Sequence, residues 1–446
     1  MFSRMTRRNY LKTSLTLGSF LLCPVRSVFA TPANEKLNIG FVGVGGRGGA
    51  NLSEIAKQER VFVAALCDID ENPLHHQKTR FPEAKTFVDY RELLDTCTDL
   101  DALVCSTADH AHAPVCIPAM RKGLHCYCEK PLVHDVAEGF LMGKVAAEKN
   151  VITQMGTGAQ SDEGSIQTAE VLRSGTLGDV QEVHITTDRP IWPQGFDRPQ
   201  GADPIPSHLH WDLFLNSAPE REFKAVWPEG HPVAGKRVYT PFVWRGWHDF
   251  GTGALGDIAP HAMNVIFWAL ELGMPNRVEV VETSGMKEEM FPDWSIIRFD
   301  FPATQRRAAL SIYWYDGNKP FLDSVSGSQR GGTLIIGSRG RMNVGGRPFG
   351  GEYEGKEFVF PEKTLPRRKP IHEEWVNCIL ENRPTGCPFE YAGPFTSAYL
   401  LGNIALKMGM AIDWDDASGK ISNSEAANQY VRRSYRKGFG VDIIDN

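Results

Sequence analysis

The chain has no Cys-x-x-Cys pair, no excess of positive charge and no apolar run long enough to span a bilayer. It also has no internal repeat and no low-complexity tract. Each absence removes a class of function. Nine cysteines without a CxxC spacing support neither a zinc site nor a thioredoxin-like motif. A formal charge of -6 over 446 residues leaves no basic footprint for nucleic acid and no polybasic patch for a membrane surface. The longest early apolar stretch, Leu15 to Cys23, is too short for a permanent transmembrane helix. What remains is the composition of a folded protein, 42% hydrophobic and 23% charged, with too many residues for one ordinary core. Two domains are therefore expected.

The first thirty residues read as an address. Thr6-Arg7-Arg8-Asn9-Tyr10-Leu11-Lys12 resembles a twin-arginine export signal, the apolar stretch follows it, and Val28-Phe29-Ala30 offers a small-residue cleavage site. The expectation is a signal peptide over 1–30, a periplasmic or exported protein, and mostly free thiols. Cys67, Cys105, Cys116, Cys126 and Cys128 sit in apolar segments like buried small hydrophobes.

Residues Leu37 to Gly48 read LNIGFVGVGGRG, an apolar run turning directly into Gly43-x-Gly45-x-x-Gly48. The run suits a buried strand. Gly43 permits the tight turn, Gly45 and Gly46 let the backbone approach a pyrophosphate, and Gly48 lets helix and strand pack closely. A helix-like segment, Ala50 to Lys57, presents its N–H groups to the anion. A second strand, Val61–Cys67, ends in Asp68, where an acid meets the adenosine ribose and repels a 2′-phosphate. The cofactor read here is NAD, with Arg47 or a neighbouring loop leaving NADP open.

From Leu37 to Met155 strand-like segments (Ala102–Ser106, His125–Cys128, Val151–Gln154) alternate with helix-like ones (Tyr90–Thr96, Ala113–Lys122, Val136–Lys149), which implies a doubly wound parallel sheet. Residues 189–250 have little regular period and read as a functional loop or lid. A helix over Ala259–Leu272, strands near Arg277–Ser284, Ser295–Phe301, Ala308–Tyr315, Gly332–Ile336 and Arg341–Asn343, and helices Ile371–Glu381 and Thr396–Met408 follow. Short connections between these strands predict an open, mostly antiparallel sheet. The division expected is 31–155 for the dinucleotide domain and 156–446 for a substrate and oligomerisation domain, whose last helices pack back on the first.

Two clusters can do chemistry. Glu129-Lys130-Pro131 follows the strand His125–Cys128, and strand carboxyl ends face the cofactor crevice. Lys130 can donate to a substrate oxygen there; taken alone, it equally reads as an exposed lysine beside Glu129. Asp257 and His261 are four apart, on one face of a helix in which Pro260 is expected early. A carboxylate beside an imidazole fixes its tautomer and raises its basicity; the pair equally reads as a helix cap and a core histidine. Trp192, Trp211, Trp244, Arg245 and His248 combine aromatics with polar partners, which suits stacking on a sugar or simply packing the loop. The pairs His110/His112 and His208/His210 have no third ligand at metal spacing, so no metal is expected.

The glycine fingerprint, Glu129-Lys130-Pro131 and Asp257-x-x-x-His261, in this order, resemble the Gfo/Idh/MocA oxidoreductases over nearly the whole chain from Leu37. The resemblance implies a nicotinamide-binding Rossmann domain, sugar or polyol substrates and a homo-oligomer. It makes Lys130 the key catalytic lysine, His261 the acid/base and Asp257 its partner. It places the loop Ser106-Thr107-Ala108-Asp109-His110-Ala111-His112 along the nicotinamide, although the family often has Pro where this chain has Ala108. Gln160, in Gly156-Thr157-Gly158-Ala159-Gln160, becomes a substrate contact. An exported member cannot readily exchange its cofactor, so the expectation is a tightly held NAD recycled in each turnover. The alternative is a redox-neutral glycosidase or lyase like the family's N-acetylgalactosaminidase branch.

Overall fold

A computed structural model of the chain describes residues 36–317 and 331–441. The expected export segment, with Arg7, Arg8 and Cys23, lies outside them. Six short strands form the first sheet: β1 (Leu37–Val42), β2 (Val61–Cys67), β3 (Lys85–Phe87), β4 (Ala102–Cys105), β5 (His125–Cys128) and β6 (Thr153–Met155). Every pair is parallel, in the order β3-β2-β1-β4-β5-β6. The linking helices are α1 (Gly46–Ala56), α2 (Glu71–Arg80), α3 (Tyr90–Thr96), α4 (His112–Arg121) and α5 (Val136–Lys149). Strand order reverses between β1 and β4, and a crevice opens there above the strand ends. All four residues of β4 are buried, as in a strand covered on both faces. This is the doubly wound parallel sheet anticipated above. Two elements of this first domain were not foreseen, β3 and α2. The α2 sequence ENPLHHQKTR buries only Leu74 and Gln77, too thin a stripe to read as amphipathic; Asp70 starts it by accepting from the Asn72 N–H.

After α6 (Glu163–Arg173) and β7 (Val180–Thr187), a long irregular strap contains α7 (Trp211–Leu215). Then come α8 (Gly253–Ala262), α9 (Asn264–Leu270), β8 (Arg277–Thr283), β9 (Ser295–Phe301), β10 (Leu310–Tyr315), β11 (Gly331–Gly337), β12 (Arg341–Asn343), α10 (Ile371–Glu381), α11 (Phe389–Met408), β13 (Ile412–Asp415) and β14 (Lys420–Ile421). The second sheet runs β12-β11-β7-β10-β9-β8-β13-β14, and only β7 with β10 is parallel. In β9, Ser295, Ile297, Phe299 and Phe301 are buried, while Arg298 on the other face bridges Glu279 and Asp300. Alternation of this kind marks a sheet with one packed face.

The helix expected over Ala259–Leu272 is instead two helices broken at Met263, the first beginning at Gly253. Pro260 therefore lies deep in α8 rather than near its start, where it withdraws the donor that the Gly256 carbonyl would otherwise take. The chain also folds back on itself. Trp375, Val376 and Ile379 of α10 share one core with Leu37, Phe41, Val63 and Tyr127 of the first sheet. No helix of the described residues is long and apolar enough to cross a membrane.

The strap has a core of its own. Trp211, Phe214, Trp227, Tyr239, Trp247 and Phe250 pack together, with Met290 from outside the segment. It is pinned across to the first sheet by backbone bonds from Glu71 N–H to the His208 carbonyl (2.9 Å) and from His210 N–H to the Ile69 carbonyl (2.9 Å). His208 also meets Asp70 (3.0 Å) and His210 meets Glu71 (2.9 Å).

Candidate active site

Between the first sheet, α8 and the strap lies a crevice of about 840 Å³. Its floor is the glycine turn. Gly43 has φ +78, and a Cβ there would stand 2.6 Å from the Ser106 carbonyl oxygen. Helix α1 begins at Gly46, earlier than expected, so Gly48 falls in its first turn; a Cβ at Gly48 would meet the Gly43 oxygen at 1.9 Å. No side chain caps α1. Its first N–H groups are therefore free to take a pyrophosphate, and the lining residues Gly43, Gly45, Gly46 and Arg47 fit a dinucleotide. Asp68 closes one end of the crevice. One carboxylate oxygen accepts from Val44 N–H (2.8 Å) and Gly45 N–H (3.2 Å), the other from Asp70 N–H (3.0 Å). Burial outweighs these bonds and raises its pKa to about 6.

At the other end, β5 delivers Glu129 and Lys130. Lys130 Nζ donates to the Asp257 carbonyl oxygen (2.7 Å) and to Asp257 Oδ1 (2.8 Å). Arg245 Nε donates to the same Oδ1 at 3.0 Å. Burial opposes the charge of Asp257, but Lys130 and Arg245 together hold its carboxyl below the usual range. His261, one turn along α8, also lines the crevice. The ring is exposed to the crevice, and the surrounding protein and then the Lys130 charge hold its pKa below the ordinary imidazole value. Asp257 and His261 share one face of α8 as expected, but among the described residues no hydrogen bond joins them. Asp257 spends its oxygen on the two cations and reaches His261 only through space, a raising influence too small to prevail.

Sequence models of two domains match this chain. One, described as the oxidoreductase family NAD-binding Rossmann fold, covers residues 37–157; the other, the oxidoreductase family C-terminal alpha/beta domain, covers 191–441. The chain belongs to the Gfo/Idh/MocA oxidoreductase family. Curated relatives match over a shorter stretch. A glycosyl hydrolase family 109 protein from Shewanella sp. (strain ANA-3) is 28% identical over 158 residues, 33% of this chain and 34% of that protein. An inositol 2-dehydrogenase from Salmonella paratyphi B is 30% identical over 152 residues, 33% of this chain and 45% of that protein. The matched stretch thus spans less than half the length of either relative. Among solved structures, the WlbA dehydrogenase from Bordetella pertussis, in complex with NADH and UDP-GlcNAcA, superposes with a TM-score of 0.57 at 18% identity, covering 85% of this chain and 99% of that one. An aldose-aldose oxidoreductase from Caulobacter crescentus gives 0.53 at 17% identity, covering 85% and 100%. At such identities these likenesses establish the fold.

In this Gfo/Idh/MocA chain the crevice wall includes Gly43, Gly45, Gly46, Arg47, Asp68, Ser106, Thr107, His110, Glu129, Lys130, Trp244, Arg245, Asp257 and His261. Other expected contacts lie elsewhere. His112 is buried below the crevice, its ring nitrogens 2.8 Å from the Pro131 carbonyl and 3.2 Å from that of Thr107. His110 touches the wall, but its ring is buried against the carbonyls of Phe214 (2.8 Å) and Phe250 (3.2 Å). Gln160 is buried and donates to Asn264 Oδ1 at 2.8 Å. His248 is half-buried and packs against Phe291, with ring centroids 4.1 Å apart. Trp192 is buried and donates to Gln194 Oε1 at 2.8 Å. These last two belong to the packing of the strap, the blander of the two readings of its aromatics.

The fold also brings Cys105, His112 and Cys128 within 4.8 Å of one another, a grouping that spacing did not disclose. Burial keeps both thiols protonated, Cys105 pushed up to about 12. All eight described cysteines are free and buried. Sequence reasoning missed Asn51. Its amide donates to Glu129 Oε1 (2.9 Å) and Ser106 Oγ (3.0 Å), and its carbonyl oxygen lies 3.0 Å from His372 Nε2 of α10. It thus orients the acid next to Lys130. It also missed Phe242 and Arg189, both on the crevice wall.

Proposed function

We propose that this protein is an NAD-dependent oxidoreductase acting on a hydroxyl of a sugar, polyol or glycoside, with a tightly held cofactor restored in every cycle. The observation that carries this reading is the meeting of Lys130, Asp257 and His261 at one end of a crevice whose other end is the glycine turn. When bound, the nicotinamide supplies the acceptor for a hydride. Lys130 donates to the substrate oxygen and its charge favours the ionised hydroxyl. Asp257, held by Arg245, fixes the direction of the ammonium group. His261, on the crevice wall, accepts the hydroxyl proton while Lys130 acidifies the hydroxyl. Asp68 supports NAD over NADP, since a carboxylate there repels a 2′-phosphate. A twin-arginine leader would deliver the folded protein to the periplasm with its cofactor already captured, and scarce free nicotinamide there favours a redox-neutral cycle.

Lys130→Ala and His261→Ala are each expected to slow turnover about a hundredfold to ten-thousandfold while leaving near-stoichiometric NAD on the purified protein. Unchanged turnover of a found substrate in both variants sinks the site assignment. The matched Shewanella glycosyl hydrolase family 109 protein favours a second reading, glycoside cleavage through transient oxidation. Aryl glycosides separate the two: aglycone release without net NADH belongs to the second alone.

A further inference from the structure

Basic side chains gather at the reacting end. Lys130 and Arg245 share one carboxylate oxygen of Asp257, and all three groups are largely shielded from solvent. Also on the wall, Arg189 pairs, among the described residues, only with its neighbour Asp188, through NH1 at 2.5 Å. Other acids of the region have partners of their own: Glu129 faces Arg47 (3.9 Å) and accepts from Asn51, and Asp109 accepts from Thr252.

The basic groups are also held ready. Arg245 has its guanidinium carbon 4.2 Å from the Trp244 ring centroid and 4.6 Å from that of Phe242. Nε is committed to Asp257 and NH1 to the Phe242 carbonyl. Among the described residues NH2 has no partner, nor do Nε and NH2 of Arg189. A guanidinium clamped between rings and presenting an open edge is preorganised for a planar anion. Phe242 has φ +73, rare for a residue with a side chain, and its ring stays 46% exposed on the crevice wall. Backbone strain that displays an apolar ring beside two open arginine edges fits a ligand with both a C–H face and a negative group.

We propose that the substrate is an anionic sugar, carrying a carboxylate or sulfate that Arg189 and the open edge of Arg245 receive while Phe242 stacks on the ring. This rests on the oxidoreductase reading above and names its substrate class. The ionising hydroxyl does not account for Arg189, because Lys130 already meets that oxygen.

The test uses the protein with its bound NAD and follows NADH formed in a single turnover. The probes are 4-nitrophenyl glucuronides, galacturonides and 6-sulfated glycosides, each beside its neutral parent. An acidic probe should reduce the cofactor at least about tenfold faster than its parent. Arg189→Gln should abolish that preference and leave the parent's rate within about twofold, whereas Arg189→Lys, which keeps the charge, should retain part of the preference. A parent as fast as its acid, or an Arg189→Gln variant that slows both alike with an unchanged melting temperature, overturns the proposal. Reduction by none of the probes, acidic or neutral, overturns the oxidoreductase reading itself and this inference with it.

Discussion

The two walls of the crevice are made of different material. The wall from the first sheet is backbone: a glycine turn, an uncapped helix start and strand ends, with Asp68 and Lys130 set where β2 and β5 stop. The facing wall, from the strap, is side chains: Arg189, Phe242, Trp244 and Arg245, held by an aromatic core with little regular structure. A backbone wall recognises what all dinucleotides share. A side-chain wall can be rewritten residue by residue without disturbing the sheet. One molecule can thus keep its cofactor chemistry while its substrate changes.

The backbone wall should be the less forgiving. Gly48→Ala forces a methyl group to within 1.9 Å of the Gly43 oxygen, so α1 must move off β1. We expect at least about 3 kcal/mol of destabilisation and protein purified without NAD, measured by thermal melting and cofactor assay. A Gly48→Ala protein that melts normally with NAD in place would undo the contrast.

In the strap, Trp227 is 1% exposed, stacked on His231 (4.4 Å) and edge-on to Phe196 (5.6 Å). Trp227→Ala should cost about 3 kcal/mol locally. Hydrogen exchange should rise across 189–250 and the substrate KM should rise, while β1 to β6 keep their protection. Exchange that spreads evenly through the first sheet would show the two walls to be one cooperative unit.

The smallest effect sharpens the comparison at Asp68. Its pKa in the fold is about 6, above the ordinary carboxyl value, so between those limits the folded chain keeps a proton that the unfolded chain releases. Its contribution to the cofactor-free fold is therefore most favourable in acid and is lost as pH rises through about 6. NAD affinity should move the opposite way, falling about tenfold below pH 6 as the carboxyl loses its charge. Asp68→Asn should flatten that dependence in a titration of NAD against pH.

How much of this could be read from the residues follows the same division. Gly43, Gly45, Asp68 and Lys130 were legible because their roles depend on local order: strand, turn, helix, acid, then a triplet at a strand end. Asn51 was not, since its partners Ser106, Glu129 and His372 meet only when the sheet is assembled. Phe242 depends on a left-handed backbone that its side chain gives no reason to expect. Trp192 and His248 were open to two readings because composition cannot tell an aromatic core from an aromatic platform; the burial of Trp192 and the packing of His248 on Phe291 decide. The start of α8 was misplaced because Gly253, Ala254 and Gly256 are weak helix formers, held there by packing.

Asn51 and His372 stand 321 residues apart along the chain, yet their contact helps to tether Glu129 beside Lys130. During synthesis the glycine turn and its strands emerge early, but a nascent chain that has not yet reached α10 lacks that tether and the Trp375 side of the sheet's cover. The support beneath Glu129 is therefore complete only late in synthesis, once α10 has left the ribosome.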